Sequence, residues 1–149
     1  MSERIFQWGE VRHGWASFEL SAAGAGAAYR ATVSDSTDVL KSLVTAVCEL
    51  LRGESRQDVS FDNEPGEIWW VFQSQGSVLK IRVSFRPEWG RGVGEERWEA
   101  SEVDLKQFAE NVFFSTRDLL ERIGRDEFRK SWPSHPYPQS EMDELAELL

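Results

Sequence analysis

Residues 68–86 read IWWVFQSQGSVLKIRVSFR. In the second half, apolar residues from Leu79 to Phe85 alternate with polar ones, which is the pattern of a strand with one buried face. The Gln75-Gly76 pair is typical of a two-residue hairpin loop. The first half is apolar on both faces, so the alternation leaves open whether Trp69 or Trp70 faces the core. The stretch therefore predicts an antiparallel hairpin within a sheet.

Further strands are predicted on the N-terminal side of this hairpin. Residues 15–20 and 27–33 alternate around a glycine-containing turn and predict a second hairpin. Residues 39–51 carry apolar side chains at helical spacing after the helix-start signal Ser34-Asp35-Ser36. Residues 59–61 alternate again and lead into a predicted turn at Glu64-Pro65-Gly66-Glu67.

Helices are predicted to follow the hairpin. A glycine-rich loop spans residues 87–100, with a short edge strand at 97–99, and Ser101 with Asp104 forms a predicted capping box. Three helices come next, ending respectively near Gly124, at Pro133 and at the last leucines. They are expected over residues 105–123, 126–132 and 140–149.

The predicted order of elements is β-β-α-β-β-β-α-α-α, with the edge strand as an optional sixth strand. Short turns between neighbouring strands require antiparallel pairing, so we expect an α+β two-layer sandwich with a sheet of five or six strands and helices mainly on one face. A length of 149 residues suits a single domain over residues 1–149. Within it, residues 133–149 form a proline-rich connector and a C-terminal helix, expected to dock on the domain, to swap onto a second copy or to bind in a groove of a partner.

Composition excludes several classes of partner and site. There are 26 Asp and Glu against 17 Lys and Arg, for a net charge of −9, which argues against nucleic acid and against an anionic membrane surface. One Cys and two His make a disulfide framework or a metal site unexpected. The first residues lack a secretory signal, and with a free Cys48 we expect a cytoplasmic protein.

No residue pattern predicts catalysis or a cofactor. Cys48 lies in an apolar helical stripe and is expected to be a buried structural thiol. The carboxylates of Asp62, Glu64 and Glu67 cluster at a predicted turn, where solvation is expected. The glycine-rich run at 90–94 is followed by glutamates that would repel a phosphate, so we expect a loop rather than a phosphate cradle.

The face of the sheet away from the predicted helices is the strongest candidate site. A tryptophan beside arginines is typical of the residues that dominate protein interfaces. The alternative is that C-terminal helices cover this face, or that Lys and Arg stems shield the tryptophans. The patch is locally basic in this chain of net negative charge. The predicted partner-binding residues are Trp15, Arg30, Trp69, Lys80, Arg82 and Arg86.

The run Phe61-Asp62-Asn63-Glu64-Pro65-Gly66-Glu67, with its following aromatic strand, carries a family resemblance. Together with residues 124–132 and the Pro-Tyr-Pro at 136–138, it resembles a group of small bacterial α+β proteins, among them immunity-type proteins that accompany polymorphic toxins. The resemblance implies a single-domain cytoplasmic binding protein and transfers no catalytic residues.

Three hypotheses of function follow. The first is a non-enzymatic module that occludes a partner protein, of which immunity against a basic toxin is one form, with the net charge speeding the encounter. The second is a small-ligand binder or enzyme with an aromatic pocket between sheet and helices, lined by Trp69, Trp70, Phe72 and Trp98. The third is a self-associating homodimer.

Overall fold

The computed structural model of the protein describes residues 4–89 and 93–149. These residues form seven strands and four helices. The strands are β1 (Phe6–Arg12), β2 (Trp15–Leu20), β3 (Tyr29–Ser34), β4 (Arg56–Asp62), β5 (Glu67–Gln75), β6 (Val78–Arg86) and β7 (Glu95–Asp104). The helices are α1 (Val39–Leu51), α2 (Leu105–Ile123), α3 (Arg125–Ser131) and α4 (Gln139–Leu148). Most of the predicted glycine-rich run, residues 90–92, lies outside the described residues.

The predicted α+β class with antiparallel pairing is confirmed, but the prediction of a single sheet is wrong. One sheet has the order β1-β2-β3 and the other the order β4-β5-β6-β7, with every pair antiparallel. The reason is that β3 and β4 share no ladder. Side chains instead join β3 to the turn that follows β4: the Ser34 hydroxyl donates to Glu64 Oε1 at 3.2 Å, and the Asn63 amide donates to the Thr32 carbonyl.

One hydrophobic core receives side chains from both sheets and all four helices. Its centre is aromatic. The ring of Trp70 lies 5.0 Å from that of Phe18 and 5.5 Å from that of Phe61, between centroids. Phe6 and Phe72 complete the contacts at 6.1 and 5.9 Å. Edge-to-face and tilted pairs of this kind add to the free energy gained by burying the rings.

The helix starts differ from the predictions by a few residues. Asp38 caps α1 by accepting from the Lys41 N–H, so the start lies after the expected Ser34-Asp35-Ser36 signal. Asp104 caps α2, and Ser101 belongs to β7 rather than to a capping box. In both cases a carboxylate satisfies an N–H at the helix start and complements the helix dipole.

The C-terminal helix α4 packs against α1 of the same chain. Met142 and Leu145 are buried there, and Arg52 at the end of α1 forms an ion pair with Glu144 at 3.2 Å. The connector before α4 is fixed as well, because the Ser134 N–H donates to Asp35 at 3.1 Å. These contacts correspond to the docked arrangement of residues 133–149.

Strand β1 is absent from the predicted elements, and helix α2 lies along it. The backbone N–H groups of Ile5 and Phe6 donate to the side-chain oxygen of Asn111. The N–H of Trp8 donates to the Ser115 hydroxyl at 2.6 Å. Since residues 111 and 115 are one helical turn apart, a single face of α2 supplies acceptors to the outer edge of this strand.

Candidate protein-binding surface

The strands β4 to β7 place four of the six predicted residues on one face. We call the outer face the side of this sheet that carries Asp58, Trp69, Val71, Lys80, Arg82, Arg86, Glu96 and Glu99. The ladder sets Trp69 opposite Ser84 and Val71 opposite Arg82. Alternate residues such as Trp70 and Ile81 point to the core and are fully buried, whereas Trp69 is half-buried and Arg82 exposed. Trp69 is therefore the outward member of the tryptophan pair.

Trp69 is held in place by both of its neighbours on the outer face. Its indole N–H donates to Asp58 Oδ2 at 3.1 Å, and the guanidinium carbon of Arg86 lies 4.5 Å from its ring centroid. Asp58 is in turn held by Arg56, whose Nε donates to it at 2.8 Å. A cation over an indole ring is attracted by the negative face of the ring. The indole therefore has a fixed orientation.

We expect the Asp58 carboxyl to titrate below its usual range. The hydrogen bond from Arg56 lowers its pKa, as does that from Trp69, while partial burial opposes them. Because the pKa is lower in the folded state, this carboxylate stabilises the fold above its unfolded-state pKa, and that stabilisation is lost as pH falls through the folded-state pKa.

Carboxyl carbon shifts from an NMR pH titration, together with the Trp69 indole signal, measure this effect. The indole signal should shift with the same midpoint as the carboxyl, and Asp58→Asn should abolish that midpoint. A carboxyl that titrates at or above the unperturbed value would contradict the arrangement.

The three predicted cations of this face are all paired, which corrects the expectation of a locally basic patch. Lys80 lies 3.2 Å from Glu99, and Arg82 lies 3.5 Å from the same carboxylate. Arg86 lies 3.5 Å from Glu67, which is buried rather than solvated at its turn as the sequence indicated. The outer face therefore carries paired positive and negative side chains around Trp69.

Glu96 and Glu99 of β7 share a hydrogen bond at the edge of the outer face. The bond to Glu99 raises the pKa of Glu96, and the bonds from Glu96 and Lys80 lower the pKa of Glu99. The pair favours a single proton between its carboxylates as pH falls, so the charge of this edge changes in two steps.

Trp89 extends the surface and was not among the predicted site residues. It is 41% exposed, and its indole N–H donates to Asp62 Oδ1 at 3.0 Å. Asp58 and Asp62 both point outward from β4, about 13 Å apart at the rise of an extended strand. Two indoles are thus anchored on one strand. The sequence feature that could have indicated Trp89 as a site residue is its position between Pro87 and Gly90, in a segment that was predicted to be a loop.

The other two predicted residues, Trp15 and Arg30, lie on the three-stranded sheet. Trp15 is half-buried opposite Ser34, and Arg30 is paired with Glu19 on the neighbouring strand. Sequence alternation assigned all six residues to one sheet face, but the division into two sheets separates these two from the others.

The four residues of the predicted aromatic pocket do not line one cavity. Trp69 points outward, while Trp70 and Phe72 are fully buried and Trp98 nearly so. Among residues 4–89 and 93–149, no group of three or more His, Cys, Asp or Glu side chains could hold a metal ion. Cys48 is buried, and burial raises the pKa of its thiol, which favours the unreactive protonated form.

Comparison with known proteins adds no relative. No protein-family model, curated protein or solved structure matches the chain. The resemblance to immunity-type proteins stays a prediction. In the described part of the chain, the helices are all too short or too polar to cross a membrane.

Proposed function

We propose that this protein is a non-enzymatic module that binds another protein through the outer face. The observation that carries the proposal is Trp69, a large, half-buried aromatic side chain on the outer face, fixed by Asp58 and Arg86. Tryptophan and arginine are the residue types that most often dominate binding energy at interfaces. An aromatic group that is already oriented loses little conformational entropy on binding, which favours affinity.

The charge pattern supports a specific rather than a general partner. A face of paired charges attracts only a partner whose own charges match the pattern, because a mismatch buries unpaired groups. The net charge of −9 would accelerate the approach of a basic partner over longer distances. Immunity against a basic toxin is a concrete form of this function.

The test is affinity purification from the protein's own host, followed by reconstitution with the purified partner and calorimetry. We expect one stoichiometric protein, and Trp69→Ala should weaken its binding by roughly 30-fold or more, since truncating a hot-spot residue costs about 2 kcal/mol or more. Folding of the variant is checked by circular dichroism.

Phe114→Ala is the matched control. Phe114 on α2 is 43% exposed and lies under the guanidinium of Arg117, 4.9 Å from its ring centroid, much as Trp69 lies under Arg86. This variant should bind like the wild type. Equal affinities for wild type and Trp69→Ala, or a chain that captures only copies of itself, would contradict the proposal.

A further inference from the structure

A groove separate from the outer face lies between α3 and the proline-rich connector. Its volume is about 380 Å³, within the range of small-molecule sites in proteins. We call it the C-terminal groove. The lining residues that matter for its chemistry are Arg125, Phe128, Arg129, Trp132, His135 and Tyr137.

The groove has a rigid aromatic wall. The rings of Phe128 and Tyr137 meet edge to face at 5.6 Å between centroids. The Tyr137 hydroxyl donates to the Thr116 carbonyl at 3.0 Å, and burial raises its pKa to about 12, so the ring stays neutral and fixed. Such a wall suits a flat apolar group in a ligand.

Two arginines stand beside this wall. Arg125 and Arg129 are four residues apart on α3, so they project from the same side of the helix. Arg125 contacts the Gln139 side-chain oxygen at 3.4 Å. Within residues 4–89 and 93–149, neither guanidinium has a carboxylate at ion-pair distance, although the chain has an excess of acidic groups. The groove therefore presents positive charge that matches an anion.

Two buried nitrogens belong to residues that line the groove. The indole Nε1 of Trp132, a residue 1% exposed, and the imidazole Nε2 of His135 form no hydrogen bond with any described residue. The other ring nitrogen of His135 lies 3.6 Å from Asp38, which orients the imidazole. Both nitrogens are hidden from solvent, as are the indole nitrogens of Trp70 and Trp98 in the core, which equally lack a partner among the described residues. The nitrogens of Trp132 and His135 therefore lie behind the lining of the groove and not on its open surface.

We propose that the C-terminal groove binds a small aromatic carboxylate. The carboxylate lies between Arg125 and Arg129, which suit its planar, two-oxygen geometry, and the aromatic group packs against Phe128 and Tyr137. A bare inorganic anion would leave the aromatic wall unused. This site is independent of the outer face, so either proposal can fail alone.

The test is titration of the ¹⁵N-labelled full chain with phenylacetate, followed by NMR at the indole N–H of Trp132. That signal is assigned by its disappearance in Trp132→Phe. Phenylacetate in the millimolar range should shift it saturably, whereas phenylacetamide, which has the same shape without the charge, should leave it unmoved.

Arginine variants complete the experiment. Arg129→Gln and Arg125→Gln should each weaken phenylacetate binding several-fold, while Arg30→Gln, which removes an exposed arginine of β3, should not. The indole signal of Trp70 reports whether each variant keeps its core. An unmoved Trp132 signal, an equal response to phenylacetamide, or wild-type affinity for phenylacetate in both groove variants would overturn the proposal.

Discussion

Replacement of Trp70 by alanine is expected to lower the free energy of unfolding by about 3–5 kcal/mol. The side chain is fully buried, and aromatic rings from both sheets pack around it, among them Phe18 and Phe61. Removing it leaves a cavity that these neighbours cannot fill without leaving their own positions. Urea unfolding followed by far-ultraviolet circular dichroism measures the loss, because that signal does not depend on tryptophan emission.

The adjacent residue provides the matched control. Trp69 is the same side chain one position away, on the opposite face of the same strand, so Trp69→Ala should cost about 1 kcal/mol through its lost contacts with Asp58 and Arg86. Equal losses of unfolding free energy in the two variants, or a larger loss for Trp69→Ala, would contradict the orientation of β5 in which Trp70 faces the core.

The second large effect is expected at the contact between α4 and α1. Leu145 is fully buried there, so Leu145→Ala should lower the free energy of unfolding by about 2–5 kcal/mol. Glu144→Ala is its control, because the ion pair of Glu144 with Arg52 is exposed and such pairs contribute about 1 kcal/mol or less. Both are measured by the same urea titration.

The outcome also distinguishes a docked helix from a swapped one. A docked α4 gives a midpoint that does not change with protein concentration, and sedimentation shows a monomer. A midpoint that rises with concentration, or a loss for Leu145→Ala no larger than that for Glu144→Ala, would contradict the docked arrangement.

The sequence predicted those elements whose patterns are continuous. The hairpin of β5 and β6 and the helices α1 and α2 follow uninterrupted alternation or helical spacing, and the structure places them within a few residues of the prediction. Strand β7 was predicted only at residues 97–99. Its pairing with β6 shifts register twice, near Ile81 and near Ser84, and such bulges interrupt the alternation from which strands are recognised.

Strand β1 was missed for a related reason. Its central Gly9 weakens the strand pattern, and its pairing with β2 is irregular between Trp8 and Val11. The division into two sheets was equally hidden, because it depends on whether β3 and β4 form a ladder. The two strands are separated along the chain by a helix, and no local pattern in either strand indicates whether they pair.

The sequence predicted which way the side chains of the candidate site point, but it did not predict the charged residues with which they pair. Alternation placed Lys80, Arg82 and Arg86 outward, as the structure has them. Their neutralisation was not visible, because Glu99 reaches Lys80 and Arg82 only through the shifted register of β7. Cross-strand charge pairs depend on which residues face each other, and a single bulge changes all of them.

The acceptors that α2 supplies to β1 have a consequence for solubility. An exposed strand edge offers a row of free N–H and C=O groups that can recruit a strand from another chain and begin a fibril. Here Asn111 and Ser115 already occupy N–H groups along that edge, and the helix lies where an incoming strand would have to pair. A sheet that ends at β1 is thereby closed to growth on that side, and a chain rich in aromatic strands gains protection against aggregation.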